Sequence, residues 1–279
     1  MKESHITILV VIFGIIAVSS FTSKKSSDNY NVNVSSSVSA ADGLDLKAVG
    51  ALIKKVKDPK DLEKKLNDSS VGINNLDLNE DSKVDYIKVT EYGDETAKGF
   101  SLSVDLGPGD TQEVATIQIE KKGDGGDVEV RGNREIYGQG HYYRSPYSGL
   151  STLLIASYLF RPHPFYMSPY GWGRYPGYYR SYRPMSRTAY RSKARNASSG
   201  SNFSKKSKSG MSKNITSPNK GKSARNVRAP LKSPTTSQKS FQKRNPSKSV
   251  RSGGFGRASR SSVRQSSFGR SSGFSGGGK

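Results

Sequence analysis

Residues 100–106, FSLSVDL, put Phe100, Leu102, Val104 and Leu106 on one side of an extended chain and Ser101, Ser103 and Asp105 on the other. A period of two is the spacing of a half-buried strand, because successive side chains point to opposite faces. Working outward, Ala115, Ile117 and Ile119 repeat the alternation, Val128 and Val130 give a shorter strand, and residues 84–92 form a β-rich run upstream. Turn signals separate them: Gly93-Asp94, Gly107-Pro108-Gly109-Asp110 and Gly123-Asp124-Gly125-Gly126-Asp127. Connections this short join neighbours, so four antiparallel strands in a meander are expected.

Upstream the period changes. Leu46, Val49, Leu52, Ile53 and Val56 follow helical spacing behind Asp45 as N-cap, with Lys54, Lys55 and Lys57 at the negative C-terminal end. Asp58-Pro59 starts again: aspartate caps, proline occupies the first helical position, and Leu62 and Leu66 continue a second short helix. The expected fold over residues 43–136 is therefore α+β, with two short N-terminal helices packed on an antiparallel four-stranded sheet. A mostly disordered tail is expected to follow.

The flanks read differently. Residues 6–18, ITILVVIFGIIAV, are uncharged and preceded by Lys2. That length suits a secretory signal or N-terminal anchor over residues 1–23 and is short for a membrane span. Residues 24–42 are Ser/Asn-rich and read as a linker. All 23 acidic residues lie at or before Glu135, a stretch that also holds 17 Lys+Arg; beyond it come 28 Lys+Arg and no acid. Residues 137–190 carry 12 of the 15 tyrosines, Trp172 and six prolines. Within them residues 149–160, GLSTLLIASYLF, suggest a short apolar helix that could meet either the domain or a membrane. Residues 191–279 hold 22 Lys+Arg, 24 Ser and six residues from Ile, Leu, Val and Met, a composition that predicts disorder. The mean hydropathy of −0.68 fits a chain with limited folded mass.

One stretch resembles calcium-binding loops of the DxDxDG kind: Asp77, Asn79, Asp81 and Asp85 offer side-chain oxygens and Lys83 its carbonyl, the oxygen-rich set a hard cation needs. Ser82 stands where that pattern has glycine, and Lys88 where an EF-hand has its bidentate glutamate. The competing reading is an Asx-rich loop leading into the strand. Calcium is the only cofactor the sequence suggests. Cysteine is absent, which removes disulfides, thiol catalysis and Cys-ligated zinc. His5, His141 and His163 form no metal-spaced pair and no serine sits in a GxSxG elbow, so no catalytic constellation is legible and no enzyme is expected.

Taken together, NNLDLNEDSKVDYIKV (residues 74–89), EVATIQIEK (113–121), SPYGWGRYPGYYRSYRP (168–184) and the Ser/Gly/Arg tail ending in GGGK resemble a group of exported bacterial envelope proteins. The resemblance implies compartment and architecture, and no activity. The expectation is an exported binding or structural protein of the periplasm, outer envelope or extracellular space, whose basic residues hold anionic polymers or lipid headgroups. Arg174, Arg180 and Arg183 among the aromatics, and Arg251, Arg257, Arg260, Arg264 and Arg270 in the tail, are the candidate contacts, since clustered cations condense on polyanions by releasing counterions. The alternative is a membrane-anchored nucleic-acid-binding protein that stacks bases on the Arg/aromatic segment and the Phe-Gly-Arg repeats.

Overall fold

The computed structural model describes residues 39–149, 152–205, 211–234 and 236–244. All belong to one unit, Ser36–Lys279. The signal or anchor, most of the linker, and Arg251, Arg257, Arg260, Arg264 and Arg270 lie outside the described residues.

Both N-terminal helices form where the spacing placed them. Helix α1 (Leu46–Ile53) is capped by Asp45, whose carboxylate accepts the Ala48 N–H at 2.8 Å. Helix α2 (Pro59–Leu66) has proline in its first turn, and Asp58 accepts the Asp61 N–H at 2.7 Å. Each cap satisfies a donor that the first helical turn leaves without a partner.

The sheet has five strands, not four: β1 (Lys88–Gly93), β2 (Ala97–Asp105), β3 (Thr111–Lys122), β4 (Gly125–Gly132) and β5 (Tyr142–Ser148), antiparallel and in sequence order. β5, YYRSPYS, shows no apolar alternation, and Pro146 argues against a central strand; an edge strand tolerates both. β1 begins at Lys88 because the amides before it are engaged elsewhere: Val84 N–H on the Tyr182 carbonyl, Asp85 N–H on the Leu76 carbonyl and Ile87 N–H on the Asn67 side chain.

Val89, Phe100, Leu102, Ala115, Ile117, Ile119, Val128 and Val130 line one face and pack with Leu46, Val49, Leu52, Ile53, Leu62 and Leu66 in a single core. The described residues of 149–160 do not form one continuous helix. A short turn, α4 (Ala156–Leu159), follows the loop, and Leu153, Ile155, Ala156 and Leu159 are buried in the same core. A small helix, α3 (Arg134–Tyr137), bridges β4 to β5 and buries Ile136 and Tyr137.

The expectation of disorder from residue 191 onward needs correction across the described part of that region. Helix α5 (Arg187–Ala197) packs through Tyr190 and Ala194, and Phe203, Ala224, Val227 and Ala229 are buried. Phe203 lies against α1 at Gly50, where an added Cβ would come within 2.9 Å of the ring. Helix α6 (Thr236–Arg244) is the last element described. Phe203, Ala224, Val227 and Ala229 are apolar residues of this polar sequence that enter the core.

Both edges of the sheet are covered by these later segments. On the β1 edge the Glu91 N–H donates to the Tyr166 carbonyl at 2.7 Å and the Ser168 N–H to the Val89 carbonyl at 3.0 Å. On the β5 edge Arg144 and Ser204 exchange two backbone hydrogen bonds at 3.0 and 2.9 Å. Covering the edges removes the unpaired ladder groups that invite aggregation.

Candidate functional site

The second face of the sheet is polar, and strand register decides what shares a row. Tyr92 pairs with Gly99, Gly99 with Gln118, Gln118 with Glu129 and Glu129 with Arg144, one residue per strand from β1 to β5. The neighbouring row runs Thr90, Ser101, Thr116, Arg131, Tyr142. Residues 211–223 cross this face and bond to it. The Gln118 side-chain amide donates to the Ile215 carbonyl at 3.0 Å, Asn219 donates to the Ser101 hydroxyl at 3.0 Å, and the Ser217 hydroxyl donates to Glu113. Ser212 meets Glu120 through its N–H at 2.7 Å, and the Ala224 N–H meets the Gln112 side chain at 3.1 Å.

Between strap and sheet lies a cavity of about 820 Å³, lined by Tyr92, Thr116, Gln118 and Glu129 and by Arg131, Arg134, Asn214 and Lys220, among others. Its acids have partners. Glu129 is fully buried between Arg131, whose Nη2 lies 2.6 Å away, and Arg144. Glu113 accepts from Ser101 at 2.8 Å as well as from Ser217, and Glu135 accepts from Ser223 at 2.7 Å. Both Arg131 and Arg144 also stack on Tyr142, at 5.1 and 4.5 Å from its ring centre. The Tyr92 hydroxyl is buried beside Gln118 and Thr116. Burial pushes its pKa up to about 12.

A second network clasps the aromatic segment. Glu63, 1% exposed, accepts from the Tyr86 hydroxyl at 2.8 Å, the Val89 N–H at 2.9 Å, the Ser168 hydroxyl at 2.8 Å and the Tyr166 hydroxyl at 3.3 Å. Burial holds its carboxyl above the ordinary range, against the pull of those four donors. Glu91 accepts from the Tyr166 N–H and faces His163 at 2.8 Å. Tyr86, Tyr170, Tyr175 and Tyr179 pack ring against ring beside it.

The residues singled out as a calcium loop are brought together, with their oxygens on the loop's own amides. Asp77 accepts the Asp81 and Ser82 N–H groups at 3.0 and 3.1 Å, Asn79 accepts Asp81 at 3.2 Å, and Asp81 accepts Lys83 at 2.9 Å. Asp85 turns to the Leu78 N–H at 2.6 Å. Glu80 and Ser82 hold positive φ of 56° and 66°, so Ser82 adopts the left-handed turn without glycine. Burial, with the neighbouring carboxylates, raises the pKa of Asp77 and, more strongly, of Asp85. Among the described residues no group of three or more His, Cys, Asp or Glu is placed to hold a metal ion.

Of the arginines proposed to meet polyanions, Arg174, Arg180 and Arg183 are exposed along the aromatic segment. The cavity residues Tyr92, Gln118, Glu129, Arg131 and Arg144 were not singled out in the sequence. Their signal was the polar half of the strand alternation, which reads locally as a solvent face. Comparison of the chain with protein-family models, curated proteins and solved structures found no match in any of the three.

Proposed function

We propose that the chain is a non-enzymatic, exported protein of the bacterial envelope that binds anionic polymers through the basic surface of its wrapped C-terminal half. The observation that carries this is the division of charge. The acids of the domain turn toward its own segments: Asp42 to Arg187 and Arg191, Asp105 to Lys88, Glu129 to Arg131 and Arg144, and Asp110 to the Arg225 and Asn226 amides. Arg180, Arg183, Lys193, Arg195, Lys220 and Lys222 are exposed and meet no carboxylate among the described residues. A folded scaffold that presents cations in this way holds a polyanion with less ordering cost than a free tail would. The uncharged run at residues 6–18 supports export.

The test is binding of the full chain to an acidic polysaccharide, to anionic liposomes and to DNA over a range of salt. Affinity for the polysaccharide should fall by about a thousandfold between 50 and 200 mM salt if six or more charges are neutralised. Absence of binding at low ionic strength overturns the proposal. A clear preference for DNA would transfer it to the nucleic-acid reading.

A further inference from the structure

We infer that the aromatic segment laid along the β1 edge, residues 165–178 with the arginines that follow, is a docking surface for an anionic lipid bilayer. This goes beyond the polyanion reading. It assigns an apolar contact and a partner of its own, and shares with that reading only the attraction of cations for anions.

The edge is built so that apolar side chains face away from the domain. Tyr166 and Ser168 turn inward to Glu63, and in a run bonded to β1 the alternate residues point to the other side. Those residues are Phe165 and Met167, 50% and 74% exposed. Farther along, Gly171 and Arg174 exchange two backbone hydrogen bonds at 3.0 and 2.9 Å, closing a tight turn with Trp172 and Gly173 at its tip. Gly173 holds a left-handed φ of 72°, which favours glycine, and nothing lies within 4 Å of where its Cβ would stand. The tip therefore projects clear of the domain, and Trp172 is exposed on it. Tyr175 and Tyr178 are exposed as well, with Tyr175 backed by Tyr86 and Tyr179 at 5.6 and 5.3 Å between ring centres. A fixed backbone holds these side chains outward, which spares the ordering cost that a loose segment would meet on binding.

Charge and side-chain type select the occupant. Arg174, Arg180 and Arg183 are exposed in the same stretch and meet no carboxylate among the described residues. A second copy of this chain, at a net charge of +22, would bring cations against those arginines. A nucleic acid would answer the charge. However, Met167, the most exposed of the large apolar side chains, has no ring for a base to stack on, and the Lys98 ammonium already lies over Phe165 at 4.4 Å. A bilayer surface suits the whole set. Tryptophan and tyrosine settle at headgroup level with the ring buried and the polar tip wet, methionine and phenylalanine reach the acyl boundary, and arginines meet the phosphates.

Trp172 is the only tryptophan of the chain, so its fluorescence reports on this surface alone. The experiment mixes the full chain with phosphatidylcholine vesicles, with and without phosphatidylglycerol, and repeats the titration with lipids brominated in the acyl chain. Vesicles containing phosphatidylglycerol should shift Trp172 emission to the blue, and the brominated lipid should quench it. Met167→Asp should raise the lipid concentration for half-maximal response by about tenfold, since it removes apolar area and places an acid beside anionic headgroups. Its thermal midpoint should not change, because the side chain is exposed. Arg180→Gln combined with Arg183→Gln should raise that concentration by about 25-fold at low salt, about fivefold for each charge. The run at residues 6–18 and the basic tail are identical in every variant, so differences among them belong to the edge. Unchanged Trp172 emission, no quenching by brominated lipid, or an unaltered response in both variants would each overturn the inference. A stronger Trp172 response to single-stranded DNA than to vesicles would overturn it in favour of base stacking. Sedimentation with vesicles and with an acidic polysaccharide separates the two claims. If either carries the chain down while Trp172 stays silent, only the edge assignment falls; if neither does, the polyanion reading falls with it.

Discussion

Replacing Glu63 with alanine should loosen the aromatic segment from the domain before the rest unfolds. The carboxylate is the shared acceptor for Tyr86, Val89, Tyr166 and Ser168, and it joins α2, β1 and the segment after residue 163. Tyr166 and Ser168 are half-buried and can turn to water, but the Tyr86 hydroxyl and the Val89 N–H are enclosed. Two buried donors left without an acceptor cost about 1–3 kcal/mol each, so a total loss of about 3–5 kcal/mol is expected. Glu63→Gln keeps one carbonyl oxygen and should lose about half as much. The two variants also separate in pH. Glu63 titrates above its ordinary value of 4.5, so the folded state binds the proton more readily. Its contribution is then fully present below that value and declines as pH rises through the raised one, and Glu63→Gln should remove that slope. Urea unfolding of the chain reads the loss, and limited proteolysis should show cleavage appearing first between residues 163 and 185. A loss in Glu63→Ala below about 1 kcal/mol, or cleavage spread evenly along the chain, would refute the clasp.

Phe203→Ala should destabilise the chain by about 3–5 kcal/mol in the same urea assay, since the ring is buried against Gly50 and beneath the Lys54 ammonium at 5.3 Å; an unchanged midpoint would mean the segment is not packed. Asp85→Asn should stabilise at neutral pH in calcium-free buffer, because the amide oxygen can keep the Leu78 N–H while the buried charge is removed. The sign follows from the raised pKa: the wild type is favoured below the ordinary 3.8 and loses that contribution as pH rises through the raised value. Thermal melts across that range should therefore show a flatter pH dependence for the variant, and parallel curves would count against the buried charge.

The parts of the fold that were legible are those whose partners lie nearby in sequence. Asp45 and Asp58 cap helices through amides three residues away, and β2 and β3 carry their own alternation and turns. β5 was not legible because its residues are fixed by β4 on one side and Ser204 on the other, neither of which leaves a period in YYRSPYS. The loop at residues 77–85 was recognised as a unit, but its hydrogen bonds, and not its composition, decide whether oxygens point at amides or at an ion.

The C-terminal half shows why composition misled for the strap. Residues 211–234 contain too few apolar side chains to build a core of their own, which is the physical basis for reading them as disordered. They need no core, because the domain already presents one with positions left to fill, and Val227, Ala224 and Ala229 enter it. The polar remainder then meets groups that only the folded sheet displays: Ser101, Gln112, Glu113, Gln118 and Glu120, separated along β2 and β3 but adjacent across register. Absence of acid in the strap is part of the same logic. An acid-free segment can lie over Glu113, Glu120 and Glu135 without placing carboxylate beside carboxylate. Its lysines and arginines are left facing outward, and the charge asymmetry visible in the sequence becomes a charge-separated surface in the fold.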